Sequence, residues 1–401
     1  MCGNSEMEPP LKGIKVISLE QAIAAPFCSR QLADMGARVI KIERPEVGDF
    51  ARGYDGRVAG LSSHFVWTNR SKESLTLDLK AEASGAILEK LLAEADVFIQ
   101  NLTPGASERL GLSYDRLKAE YPGLIVCNIS GYGDSGSYRL KKAYDLLIQS
   151  EAGFLSTTGF PARDGMAKAG CSIADIAAGM YAYSSILGAL LLRNETGEGS
   201  CIDISMLECL VEWMGYPLFY SYDGACPPAR EGASHASIYP YGPFPAGDGK
   251  LVILGLQNDR EWRIFCEKVL AIPDLVQDQR FLSNPLRSEN RQELKKIIDG
   301  VFKKMTASQV CELLDESGIA NASVNDMHDV WDHPQLRDRD YWATVESPVG
   351  DLPAPVPPGR STSFNPVMNA VPDIGEHSEK ILAELGFGKS ELRELTDNGI
   401  I

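Results

Sequence analysis

Apolar and polar positions follow two different periods along the first half of this chain. Residues 14–19 (IKVISL) form a short apolar run rich in β-branched side chains and read as a strand. Residues 26–35 (PFCSRQLADM) switch to helical spacing, opening on Pro26 and stopping at Gly36. Residues 38–43 (RVIKIE) return to a strand, so 12–45 makes a βαβ unit. The cycle repeats. Ile87, Leu88, Leu91 and Leu92 share one helical face ahead of a strand at 97–100, and a helix near 114–120 leads to a strand at 124–130. Strands linked by crossover helices predict an α/β fold with a parallel sheet covered on both faces.

Residues 173–192 are long and apolar enough to imitate a membrane span, yet they carry Asp175 and interior glycines, which predicts a central helix packed in a soluble domain. A strand at 201–205 and a helix at 206–214 follow. Prolines crowd 222–249, predicting a linker or lid-bearing crossing. Beyond 250, Trp262, Phe265, Cys266, Val269 and Leu270 fall at helical spacing, as do Leu294, Ile297, Ile298, Val301 and Phe302. Thr306 and Gln309 are spaced as a capping box for a helix ending at Gly318. The proline-rich stretch 348–358 predicts extended chain, and 377–387 a closing helix.

Composition narrows the function. With 39 Lys plus Arg against 55 Asp plus Glu, the net charge of −16 disfavours nucleic acid and anionic membrane as partners. The nine cysteines include no C-x-x-C pair, and the five histidines show no ligand spacing, so neither a disulfide framework nor a metal site is expected. The acidic opening segment lacks a secretory pattern, which predicts an intracellular protein, cytoplasmic or of the mitochondrial matrix.

Three constellations could carry chemistry. GYGDSG at 131–136 matches a dinucleotide-binding loop, but no helix pattern opens at once after it, so a glycine-rich turn is the better reading. Asp175 reads equally as a helix-start residue in a Ser172-x-x-Asp175 capping box and as a carboxylate nucleophile, kept ionised by the helix N-terminus and approached past Ala174, Ala177 and Gly179. Lys41, Arg44, Arg52 and Arg109 sit near strand ends, where ligand phosphates dock in parallel sheets. Lys141-Lys142-Ala143-Tyr144-Asp145 gathers cations, a phenol and an acid, although a solvated helix start would look the same.

These segments together resemble the class III CoA-transferases, the CaiB/BaiF type that includes formyl-CoA transferase. The resemblance runs through LKGIKVISLEQAIAAPFCSRQLADMGARVIKIERPEVGD, NRSKESLTLDLK, QNLTPGASERLGL, NISGYGDSG and KKAYDLLIQSEAG, and continues through IADIAAGMYAYSSILGALLLRNETGEG to the final GEHSEKILAELGF. It implies a Rossmann-like large domain over 1–221, a linker and small α+β domain over 222–335, and a segment 336–401 returning to the large domain, in an interlocked, ring-like homodimer. It implies no tightly bound cofactor and no metal, with coenzyme A thioesters and small carboxylic acids as substrates. The family nucleophile falls on Asp175. CoA contacts fall on Ile23, Ala24, Arg44, Leu77 through Lys80, Asn101, Leu102, Thr103, Arg109, and Lys142 through Asp145, Tyr144 included.

Racemases of this type place a histidine where this chain has Tyr144, which favours transfer over proton shuttling. In place of a glycine run, residues 233–244 read ASHASIYPYGPF, which resembles transferases of dicarboxylates. Succinyl-CoA as donor and itaconate or mesaconate as acceptor are therefore expected. His235 is a candidate for the acceptor's second carboxylate and also reads as an ordinary loop histidine. A racemase, an NAD-dependent oxidoreductase and a non-catalytic acyl-CoA binder are the alternatives.

Overall fold

The computed structural model of the chain describes residues 8–162 and 164–401. The opening segment to Met7, with Cys2, and Arg163 lie outside the described residues. The backbone divides into two units: Met1–Ala152, Ala169–Gly215 and Leu336–Ile401 in the first, and Gly153–Lys168 with Tyr216–Gln335 in the second. The excursion 153–168 therefore parts from the unbroken first domain that sequence suggested. Arg230 explains its allegiance, donating to the carbonyls of Phe160 (3.0 Å) and Ala162 (2.7 Å).

The first unit is built on six parallel strands: β1 (Lys15–Leu19), β2 (Arg38–Glu43), β3 (Lys72–Thr76), β4 (Val97–Gln100), β5 (Ile125–Ser130) and β6 (Cys201–Ser205). Their order is β3-β2-β1-β4-β5-β6, so Val16 pairs with Val39 on one side and Val97 on the other. Val16, Ile17, Val97, Phe98 and Ile99 are wholly buried, as strands covered on both faces must be. The order reverses between β1 and β4, and a crevice opens at the carboxyl ends of those two strands.

β3 escapes the apolar pattern because its inward positions are polar. Lys72 Nζ donates to Glu20 (2.6 Å), and Ser74 Oγ donates to Glu43 (2.9 Å). The ammonium of Lys72 joins a fully buried network in which Lys41 bridges Glu20 (3.4 Å) and Asp49 (2.6 Å). Burial alone would raise the pKa of Glu20, but Lys72 and Lys41 outweigh it and bring it to about 2. The carboxyl-terminal segment covers the edge strand, with the Thr76 N–H donating to Ser378 Oγ at 3.0 Å and the His377 N–H to the Ser74 carbonyl at 3.0 Å. Two helices close this segment, Ser378–Glu384 and Lys389–Asp397, where the sequence pattern suggested one.

The helix after β1 runs Ala24–Asp34, beginning two residues before Pro26, which still lies in the first turn where its missing N–H costs nothing. The long apolar helix spans Ile173–Thr196 and stops on Gly197 at φ +75°. It is buried along one stripe only, through Ala174, Ala177, Ala178, Ala182, Ile186 and Leu190, while Met180, Leu191 and Leu192 are exposed.

The second unit holds an antiparallel sheet of β7 (Tyr241–Pro245), β8 (Leu251–Gly255) and β9 (Ala320–Ser323). β7 lies inside the stretch that sequence suggested was a linker. It is an edge strand, where Pro243 and Pro245 are tolerated. Phe244, Trp262, Phe265, Phe281 and Phe302 centre its core. Thr306 and Gln309 form the capping box in full, with both hydrogen bonds made at the start of helix Ala307–Glu316.

Candidate active site

Two adjoining cavities open in the first unit, sharing Gln21 and Leu102 in their walls. The smaller, of about 560 Å³, contains Asp175 together with Ile23, Ala24, Asn101, Leu102, Thr103, Lys142, Tyr144 and Asp145. The larger, of about 1340 Å³, contains Arg44, Leu77, Lys80, Leu102 and Arg109. Asp175 and every CoA contact implied by the resemblance line one or the other, but Lys41 and Arg52, which the sequence also offered to phosphates, line neither: Lys41 is buried against Asp49 and Glu20, and Arg52 is paired with Glu43. The cavities occupy the crevice where the strand order reverses, since Leu19 ends β1, Glu20 and Gln21 follow it, and Asn101 to Thr103 follow β4.

The turn between β1 and the first helix is fastened from below. Ala22 adopts φ +62°, and its N–H donates to Asp49 Oδ1 at 2.9 Å. Asn101 clasps Gln21 on both sides, accepting from its N–H (2.9 Å) and donating to its carbonyl (2.8 Å). The Asn101 amide is thus spent on holding the turn.

The long helix begins beside this turn, but not as the sequence suggested. Ser172 makes no side-chain cap. Asp145 caps the helix instead: its Oδ1 accepts the Ala174 N–H at 2.8 Å and the Asp175 N–H at 3.4 Å, while Oδ2 accepts from Gln149 at 2.6 Å. A cap supplied from thirty residues away leaves no trace in local spacing. With Asp145 occupying the helix terminus, Asp175 is not kept ionised by it. Burial, reinforced by the Asp145 charge, pushes the Asp175 carboxyl up to about 7. Among the described residues no donor hydrogen-bonds that carboxyl.

Gly179 also has a different role from the one sequence suggested. A Cβ there would stand 2.7 Å from the Ala24 carbonyl and 3.0 Å from the Phe27 ring, so the glycine admits the first helix rather than a ligand. GYGDSG forms a turn after β5, with the Gly133 N–H on Ser130 Oγ (2.9 Å) and the Asp134 N–H on Asp203 (3.0 Å). No helix follows until Asp145–Glu151. Lys141 is paired with Glu151 and lies over the Tyr132 and Tyr138 rings.

In the larger cavity, Arg44 packs over Phe50 at 4.5 Å and donates to the Gly48 carbonyl. Among the described residues no carboxylate pairs with Arg44, Lys80 or Arg109, whereas Glu20 and Glu43 in the same wall are neutralised by Lys72 and Arg52. Glu46, Asp78 and Glu379 also line this cavity without an ion pair among the described residues, so what it offers an anion is the three uncommitted cations, Arg44, Lys80 and Arg109.

Gln21, Ala22, Tyr54 and His64 also line the smaller cavity, and sequence reasoning did not single them out. Tyr54 follows a single 3-10 turn (Phe50–Gly53), and His64 opens a short helix (Ser63–Asn69), segments too brief for periodicity to reveal. His235 lies in the second unit, where its Nδ1 accepts the N–H groups of Ser237 and Ile238 and its ring stacks on Tyr241. That is the loop-histidine reading.

Comparison with known proteins converges on one group. The sequence profile of CoA-transferase family III matches residues 11–378. The succinyl-CoA:glutarate CoA-transferase of Homo sapiens is 32% identical over 396 residues, covering 98% of this chain and 90% of that protein. The succinyl-CoA:mesaconate CoA-transferase of Haloarcula hispanica is 31% identical over 402 residues, covering 97% and 99%. A solved CAIB/BAIF family protein from Brucella suis superimposes with a TM-score of 0.84 at 32% identity, covering 94% of this chain and 100% of that one. The chain therefore belongs to CoA-transferase family III, the CaiB/BaiF type, and is a transferase whose substrates are CoA thioesters.

Proposed function

We propose that the chain moves CoA from succinyl-CoA to a small dicarboxylate, with Asp175 as nucleophile. One observation carries the reading: the Asp175 carboxyl, with no hydrogen-bond partner among the described residues, stands in a cleft that adjoins a cavity lined by the uncommitted cations Arg44, Lys80 and Arg109. Arg44, Lys80 and Arg109 take the nucleotide phosphates of CoA, and the thioester arm passes Gln21 and Leu102 toward Asp175.

The chemistry conserves the thioester's energy, so the protein's task is to orient groups and exclude water. The Asp175 carboxylate attacks the thioester carbonyl, the C–S bond breaks, and an aspartyl–acyl anhydride and CoA thiolate result. The thiolate attacks the aspartyl carbonyl, releasing succinate and leaving aspartyl-CoA thioester. The acceptor carboxylate attacks that thioester, giving a second anhydride and thiolate. The thiolate then takes the new acyl group and frees Asp175. Ionised Asp175 is the active form, and its high pKa makes it a stronger nucleophile than an ordinary aspartate once deprotonated.

Relatives named for glutarate and for mesaconate support a dicarboxylate acceptor, with itaconate the third candidate from the sequence reading. The exposed Met180, Leu191, Leu192 and Trp213 support association into a homodimer, which light scattering would test. The function is tested by mass spectrometry of CoA esters formed from succinyl-CoA with glutarate, mesaconate and itaconate. A new dicarboxyl-CoA should appear with the native chain and vanish with Asp175→Ala. Undiminished transfer by that variant would overturn the reading.

A further inference from the structure

The cleft around Asp175 is also lined by His64 and Tyr54, which the transfer steps leave unused, and Asp55 stands behind the imidazole. Asp55 accepts from the N–H groups of Ser63 (2.9 Å) and Arg57 (3.0 Å), from the Ser63 hydroxyl (2.8 Å), and contacts His64 Nδ1 at 3.2 Å. Those backbone donors, with the hydroxyl and the imidazole, hold the Asp55 carboxyl well below the usual carboxylate range. An acceptor fixed at Nδ1 makes that nitrogen the proton-bearing one and leaves Nε2 for a ligand.

Tyr54 packs edge-on against the imidazole, with centroids 5.4 Å apart and planes at 84°. Both residues line the cleft. Burial, then the charges of Asp49 and Asp175, pushes the Tyr54 phenol upward, so it stays a neutral donor. Among the described residues nothing hydrogen-bonds its hydroxyl. Other inner polar groups are committed, Asn101 to Gln21, Asp145 to the long helix and Ser130 Oγ to Gly133, while the Gln21 side-chain amide, on the wall shared with the larger cavity, is not. Lys142 and Tyr144 are exposed.

We propose that His64, oriented by Asp55 and flanked by Tyr54, is the subsite for a second carboxylate on the acyl group or acceptor, at the end remote from Asp175. The inference rests on the Asp175 reading and deepens it. A free carboxylate in a cleft that already contains Asp175 and Asp145 needs matched donors: the Tyr54 phenol O–H is one, and Nε2 becomes the other when the carboxylic acid hands it its proton on binding. An acid lacking the second carboxylate leaves both groups unmatched, which is how a polar subsite discriminates.

The test follows isotope-labelled succinate into succinyl-CoA and labelled butanoate into butanoyl-CoA, using the full chain. The two acyl groups have the same carbon count and differ in the second carboxylate. His64→Ala should lower kcat/KM for succinate exchange about 30-fold, as befits one charge-assisted hydrogen bond, and move butanoate exchange less than about 3-fold. Tyr54→Phe, which preserves the packing, should show a smaller loss confined to succinate. Equal losses for both acids, no loss for succinate, or a native chain that exchanges butanoate as fast as succinate would overturn the subsite. Asp175→Ala is the separate arm: exchange of both acids surviving there would overturn the nucleophile assignment, whatever His64→Ala does.

Discussion

Asp145 and Asp175 are joined through one helix end: Asp145 Oδ1 accepts the Asp175 backbone N–H at 3.4 Å and that of Ala174 at 2.8 Å. The same carboxylate that fixes the nucleophile's backbone also raises the pKa of its side chain. Asp145→Asn keeps a capping oxygen but removes the charge. The midpoint of the pH–rate profile should then move toward acid by up to about one pH unit, since burial, the larger cause, remains. Asp145→Ala, which removes the cap as well, should cost about 1 kcal/mol in a denaturant titration.

Asp175 ties activity and stability to pH in opposite directions. With a midpoint of about 7, the nucleophile is protonated and idle below it, so transfer should rise from pH 6 to 8 and then level off. In the unfolded chain the group titrates near the ordinary aspartate value of about 4, so between about 4 and 7 the folded state binds the extra proton. Stability conferred by the neutral carboxyl is therefore present at low pH and lost as pH rises through that window. Asp175→Asn should abolish transfer yet raise stability at pH 8 by on the order of 1–3 kcal/mol, with little gain at pH 4.

Gly179→Ala tests the contact between the two helices that border the cleft. Its Cβ would meet the Ala24 carbonyl at 2.7 Å, and backbone cannot yield as a side chain does. A stability loss of about 1–3 kcal/mol is expected, with a fall in kcat as the Ala22–Ala24 turn shifts. Native-like melting and turnover would show that the contact relaxes freely.

Lys72→Met breaks the buried network at Glu20, which Lys41 reaches only at 3.4 Å. Leaving that carboxylate short of a partner should cost about 3–5 kcal/mol, read by urea unfolding of the native chain and the variant. A loss below 1 kcal/mol would contradict the assignment of Lys72 as the main partner of Glu20.

What the sequence disclosed followed from locality. β2 matches its pattern residue for residue because Val39, Ile40 and Ile42 are apolar and buried within one short run, and the Thr306 capping box spans only four residues. β3 was opaque because Lys72 and Ser74 are buried by virtue of partners elsewhere in the chain, Glu20 after β1 and Glu43 in β2. The Asp145 cap and the pairing of Asp55 with His64 are equally non-local in meaning, since neither residue announces its partner. Resemblance placed Asp175 and the cations where the cavities lie, while the state of Asp175 emerged only from its surroundings.

The nucleophile itself can be caught. The native chain would be incubated with succinyl-CoA and hydroxylamine, digested, and its peptides examined by mass spectrometry. An activated carboxyl at Asp175, as anhydride or thioester, should be captured as a hydroxamate on that residue, only when succinyl-CoA is present. Hydroxamate on a different carboxyl, or none while transfer proceeds, would contradict the assignment of Asp175.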